Sequence, residues 1–138
     1  MAVLEPCLEH IGLLFANEAE ALKISGCPQV RSAARLFLDR GVQTVVIKRG
    51  RYGCAVFHGE KEIWAQGFAV EPVDTTGAGD CFTGGFLAAL HRGGTFFDAA
   101  TLGNACGALS ASRIGSVSGL KGHQETVEWA ARHRTSGG

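Results

Sequence analysis

No Cys-x-x-Cys pair occurs in this chain of 138 residues, and its five cysteines stand 20 to 27 residues apart. An odd, widely spaced set of this kind reads as reduced thiols in a cytosolic protein, not as a disulfide framework or a zinc site. The five histidines are equally scattered and show no metal-ligand spacing, so surface histidines are expected. Long apolar runs are missing too. None reaches the length that spans a bilayer, and the first residues lack a basic stretch followed by an apolar one, so a cytoplasmic location is expected. Neither sign of charge dominates, with 13 basic residues against 13 acidic ones scattered along the chain. That balance argues against a broad nucleic-acid surface. There is no Gly-x-Gly-x-x-Gly after the first strand and no Gly-x-x-x-x-Gly-Lys-Ser/Thr, which ranks dinucleotide-binding and Walker-type readings low. Repeats, low-complexity tracts and internal linkers are absent as well.

What is present suits a globular α/β chain. Apolar residues make up 46% of the sequence, enough for one domain with a real core. Residues 1–10 are ambiguous, and Ile11–Ala16 reads as a short buried strand. A short helix over Asn17–Ile24 stops near Ser25-Gly26. Val30, Ala33, Ala34, Phe37 and Leu38 mark an amphipathic helix over Gln29–Arg40, ended by Gly41. The β-branched run Val42–Lys48 predicts a covered strand. Cys54–His58 and Glu62–Gln66 read as paired strands. Helices are expected over Gly79–Arg92, Phe97–Ser112 and Gln124–His133, with a frayed Ser-Gly-Gly tail. The expected fold is an open α/β sheet with helices packed on it, a single domain over residues 1–134 with a flexible tail at 135–138.

The chemistry-bearing segment is Asp74-Thr75-Thr76-Gly77-Ala78-Gly79-Asp80. It places a carboxylate on a glycine turn that opens a helix, as the stripe Phe82, Phe86, Ala89, Leu90 shows. A helix N-terminus offers N–H groups and a favourable dipole to an anion, and glycines admit close approach. Donors for a phosphate beside a carboxylate for a hydroxyl proton are the parts phosphoryl transfer needs. Asp is also favoured near any helix start without catalytic meaning. Asn17-Glu18-Ala19-Glu20 has the spacing of a capping box. Val45–Gly53 reads as a strand ending in a basic, glycine-bearing turn, either a phosphate cradle or a charged β-turn. Leu102–Ala108 is rich in small residues, suited to close packing on a sheet or a flat ligand.

The run Asp74–Asp80, continued by Cys-Phe-Thr-Gly-Gly-Phe, resembles the C-terminal motif of the PfkB (ribokinase-like) family of sugar and nucleoside kinases. The resemblance extends over about Leu8–Leu120. It implies the C-terminal part of a ribokinase-like sheet and ATP-dependent phosphorylation of a primary hydroxyl on a sugar or related molecule. Asp80 is then the base, and the N–H groups of Gly77, Ala78 and Gly79 hold the developing phosphoryl charge. Asn17 and Glu20 match the family's Asn-x-x-Glu pair, which helps organise Mg²⁺ through water. Lys48, Gly50 and Gly53 match a segment lining the nucleotide's phosphates, although Arg49 departs from the usual apolar residue and must turn to solvent or a phosphate. Asn104 matches an Asn beside the adenine. Arg113–Ser116 matches a loop that forms a monovalent-cation site, K⁺ for example, with backbone oxygens near Asp74 and Thr76.

Length is the difficulty. Kinases of that family are about twice as long, and only 79 residues precede Asp80 here. The absent portion corresponds to the N-terminal half that carries most sugar contacts and the lid. Two expectations therefore stand together: a sugar or nucleoside kinase, or a truncated nucleotide-binding or interaction module that is inactive alone. Either implies a homo-oligomer or a complementing N-terminal half, with no nucleic acid or membrane partner.

Overall fold

The computed structural model describes residues 3–112 and 122–133. They fall into two compact units, one running to Arg49 and including Ala55–Trp64, the other formed by Gly50–Cys54 and the chain from Ala65 onward. The architecture is α/β, as expected.

The first unit opens with a four-residue helix, α1 (Glu5–Leu8), carrying Pro6 in its first turn, which the ambiguous first ten residues did not reveal. Strand β1 (Leu13–Asn17) follows, then α2 (Glu18–Ser25), α3 (Val30–Asp39) and β2 (Thr44–Lys48). Helix α2 is capped by a complete capping box: Asn17 Oδ1 accepts from the Glu20 N–H at 2.8 Å, and the Asn17 N–H donates to Glu20 Oε2 at 2.9 Å. Gly26 ends it in the left-handed conformation at φ 70°. Helix α3 turns Val30, Ala33, Ala34 and Phe37 inward, the stripe its periodicity predicts. These side chains form one core with Leu8, Ala16, Val45, Ile47, Ala55 and Phe57. Strand β1 starts two residues later than expected. Val42 and Gln43 are also outside β2, because their N–H groups go to Phe37 O and Ile11 O instead of a ladder.

Strands β1 and β2 are parallel and in register from Leu13↔Thr44 to Asn17↔Lys48. Strands β3 (Cys54–His58) and β4 (Lys61–Ala65) follow, joined by the two residues Gly59 and Glu60, with Gly59 at φ 57°. A link that short permits only an antiparallel hairpin. The sheet order is β1-β2-β3-β4, which leaves β1 and β4 at its edges.

The second unit holds a 3-10 turn (Gly50–Tyr52) and three helices: α4 (Ala78–His91), α5 (Phe96–Ala111) and α6 (His123–Arg132). All three helices lie within one residue of their expected starts and ends. Helices α4 and α5 pack closely because glycines face the partner helix. A Cβ on Gly103 would sit 3.0 Å from the Phe82 ring, and one on Gly85 would sit 3.0 Å from Leu102 O. Phe68, Ala105, Leu109, Trp129 and Ala130 make a second core, with the Phe68 and Trp129 rings 5.1 Å apart. Among the described residues no helix is long and apolar enough to cross a membrane.

Candidate functional site

The sequence-predicted residues divide between the two units. Asn17, Glu20 and Lys48 lie in the first; Gly50, Gly53, Asp74, Thr76, Gly77, Ala78, Gly79, Asp80 and Asn104 lie in the second.

In the first unit the parallel register sets Asn17 directly beside Lys48, each the last residue of its strand. Open α/β sheets bind ligands beyond such carboxyl ends. Asn17 and Glu20 are exposed and Lys48 is half-buried, while the rest of β2 is buried. Glu20 is thus both half of the cap and a solvent-facing carboxylate. Arg49 is half-buried and meets partners within its own unit. Its Nε donates to Glu18 Oε2 at 3.1 Å, and its guanidinium carbon lies 5.4 Å from the centre of the Trp64 ring. Arg31 approaches the same ring at 5.7 Å and also binds Glu62 at 2.8 Å, which holds the Glu62 carboxyl below its ordinary range. This cluster was not foreseen. A lone Trp on the outward face of a strand was its only trace in the sequence.

In the second unit Gly77 caps α4 in the left-handed conformation at φ 76°, a backbone that suits glycine. No side chain caps this helix. The cap leaves α4's first N–H groups to a ligand or water, except that Ala78 N donates to Thr75 O at 3.2 Å. Asp80 lies in the first turn, exposed, and among the described residues no hydrogen bond or ion pair holds its carboxylate. Its approach is fixed from behind. Thr76 N donates to Asp74 Oδ1 at 2.9 Å, and the N–H groups of Val73 and Asp74 both donate to Ala111 O, at 2.7 and 3.0 Å. The last carbonyl of α5 therefore anchors the strap that leads into the glycine turn, a backbone link no side-chain pattern signals.

Two predicted ligand residues have structural partners. Asn104 is buried, and its Nδ2 donates to Ala65 O at 3.3 Å and Gln66 O at 3.1 Å. Gly53, at φ 98°, has its α-carbon so close to the next turn that a Cβ would stand 1.9 Å from Ala65 O. Gly50 is also left-handed, but nothing lies within 4 Å of its Cβ position. Arg113–Ser116, read as a cation loop, lies outside the described residues. Among the described residues no cluster of three or more His, Cys, Asp or Glu could hold a metal ion.

A four-stranded sheet in the order β1-β2-β3-β4, and a glycine-capped helix start bearing an exposed aspartate, define the chain as an α/β protein with donors and a carboxylate side by side at the start of α4. The model of the pfkB family carbohydrate kinases matches residues 1–121, and the chain belongs to that family. It is 36% identical over 127 residues to the ribokinase of Haemophilus influenzae, covering 88% of this chain and 42% of that protein. It is 40% identical over 103 residues to the cytidine kinase of Thermococcus kodakarensis, covering 73% of this chain and 37% of that one. Among solved structures, a ribokinase-II-type protein of E. coli in complex with ATP and Mg²⁺ superposes with a TM-score of 0.87 at 33% identity. That match covers 96% of this chain and 43% of the other. The chain thus spans less than half the length of the relatives it matches.

Proposed function

We propose that this chain carries the nucleotide-binding and base-bearing part of a kinase that transfers the γ-phosphoryl group of ATP to a hydroxyl of a sugar or nucleoside. The single observation behind it is the start of α4, where an exposed carboxylate stands beside helix N–H groups that no side chain caps. In this reading Asp80 accepts the hydroxyl proton as the oxygen attacks phosphorus. The N–H groups of Gly77 and Gly79, with that of Ala78 shared with Thr75, bear the charge developing on the phosphoryl oxygens. Lys48 and the Gly50–Gly53 turn line the phosphates, and Asn104 lies at the adenine side, where its amide positions the end of β4.

The exposed pair Asn17 and Glu20, an amide and a carboxylate, fits a magnesium ion held through water, because Mg²⁺ keeps several waters and takes few protein carboxylates. Bound there with the nucleotide, Mg²⁺ neutralises phosphate charge. Asp74 and Thr76 supply backbone oxygens for a monovalent cation. Setting is cytoplasmic, with no nucleic-acid or membrane partner.

A second reading is favoured by coverage: the match spans 42% and 37% of two relatives. Here the chain binds nucleotide but turns over only with a complementing half or a second copy, which pairs with edge strand β1. The deciding experiment is coupled ATP turnover by the 138-residue chain against a sugar and nucleoside panel, with Asp80→Asn beside it. Turnover lost at least a hundredfold in the variant, with nucleotide affinity kept, supports the kinase reading, since general-base catalysis contributes about 10²–10⁴-fold. Equal turnover in Asp80→Asn removes Asp80 as the base. ATP binding without turnover supports the second reading.

A further inference from the structure

Cys81 and Cys106 stand on facing helices. Cys81 follows Asp80 in the first turn of α4, where its N–H donates to Gly77 O. Cys106 lies on α5, and its side chain rests on Gly85: a Cβ there would stand 2.7 Å from Cys106 Sγ and 3.1 Å from its Cβ. Gly85 is four residues beyond Cys81, the spacing that puts two residues on one helix face. Gly107, next to Cys106, has its Cβ position 3.3 Å from Ala78 O. Cys106 therefore faces the stretch of α4 between Ala78 and Gly85, which contains Cys81. Glycine at 85, 103 and 107 lets the two backbones approach closely, the condition for a disulfide between helices. Neither cysteine is joined in a disulfide, and both are only half-buried, within reach of a small reagent. Burial, and secondly the neighbouring Cys81, push the Cys106 thiol up to about 11.

We propose that Cys81 and Cys106 are a modification site, forming a reversible disulfide that staples the first turn of α4 to α5 when the protein meets a small organic disulfide such as oxidised glutathione. In the first step the Cys81 thiolate attacks one glutathione sulfur, giving a mixed disulfide and releasing one glutathione thiolate. Cys106 resolves it: its thiolate attacks the Cys81 sulfur, the Sγ–Sγ bond forms, and the second glutathione leaves. Two protein thiols are oxidised, one glutathione disulfide is reduced, and the two protons pass to the departing thiolates. The staple holds the turn that carries Asp80. It rests on thiol geometry alone and stands or falls independently of the kinase reading.

The test uses the native 138-residue chain, equilibrated in oxidised and reduced glutathione mixtures, then alkylated, digested without reductant and mapped by mass spectrometry. Circular dichroism on the same samples verifies that the fold is retained. The expected result is loss of both thiols to one intramolecular Cys81–Cys106 peptide pair, two hydrogen atoms lighter than the reduced pair and restored by dithiothreitol. Cys81→Ser should leave Cys106 alkylatable under the same conditions. Recovery of both cysteines as alkylated or singly glutathionylated peptides from the folded wild type overturns the proposal. So does a Cys81–Cys106 link found only between two copies of the chain.

Discussion

Three glycines in the second unit separate backbone strain from steric clash, and substituting each with alanine measures both. Gly50 has φ 57° with nothing within 4 Å of its Cβ position, so Gly50→Ala adds strain only. An L-residue in the left-handed region costs about 1–2 kcal/mol. Gly67 lies outside that region, but its Cβ would stand 2.2 Å from Arg51 O and 2.9 Å from Gly53 N, so Gly67→Ala adds clash only. Relief requires backbone to move by about an ångström, on the scale of overpacking costs of about 1–3 kcal/mol. Gly53 combines the two, with φ 98° and a Cβ 1.9 Å from Ala65 O, 2.6 Å from Gly67 N and 2.7 Å from Gln66 C. Adding the components, Gly53→Ala should cost about 2–5 kcal/mol, a large share of the total of about 5–15 kcal/mol available to a domain. Equilibrium urea unfolding reads this directly. At a slope of about 2 kcal/mol per molar, the midpoint for Gly53→Ala falls by roughly 1–2.5 M, and that for Gly50→Ala by roughly 0.5–1 M. A Gly53→Ala midpoint no lower than that of Gly50→Ala refutes the reasoning, because the clash with the Ala65–Gly67 backbone would then be absent.

Asn17→Ala removes the α2 cap and should lower stability by about 1 kcal/mol in urea unfolding, whereas Glu20→Gln keeps the reciprocal hydrogen bonds and stays within about 0.5 kcal/mol of wild type. If Glu20 also orders Mg²⁺, the Glu20→Gln protein needs more magnesium for the same turnover, a change stability does not produce. Burial pushes the Cys54 thiol up to about 12 against an ordinary 9.0, partly offset by its hydrogen bond with Asn104. The unfolded chain loses that proton first, so this contribution is whole below pH 9 and declines as pH rises from about 9 towards about 12, by up to about 1.4 kcal/mol per pH unit. Stability curves measured above pH 9 should be flatter for Cys54→Ala than for wild type; equal slopes contradict the assignment.

Periodic side-chain signals carried most of the fold. Val30, Ala33, Ala34 and Phe37 announced α3 because an amphipathic stripe is a local property, and the β-branched run announced β2 for the same reason. The capping box at Asn17 and Glu20 was legible because both partners lie within one turn. Backbone-to-backbone links were not. The bonds from Val73 and Asp74 to Ala111 O join residues nearly forty positions apart through groups every residue possesses. Arg49 shows a third case: its departure from an apolar residue was visible, but its partners Glu18 and Trp64 become neighbours only when the sheet forms. Asn104 and Gly53 add a fourth. Their identities were noted as ligand contacts, and the structure supplies packing partners that would favour the same residues for stability.

The helix starts bear most directly on function. Helices α2 and α5 each begin with a reciprocal box, Asn17 with Glu20 and Thr95 with Asp98, so their first donors are satisfied within the chain. Helix α4 begins with a glycine that can donate no side chain, although an acidic residue, Asp80, occupies the position that completes the box in the other two. Had stability alone shaped this turn, a Ser, Thr or Asn before the helix would have contributed roughly a few tenths of a kcal/mol more than glycine. Such a residue would also place a side-chain oxygen over the N–H groups and recruit Asp80 back onto the chain, occupying both the donors and the carboxylate. Gly77 keeps both open, and its left-handed φ of 76° makes a side chain there strained as well. Helix α4, which forgoes a side-chain cap as α6 does, packs against the long helix α5, and Gly85 and Gly103 on that interface supply from packing the stability that the turn gives up.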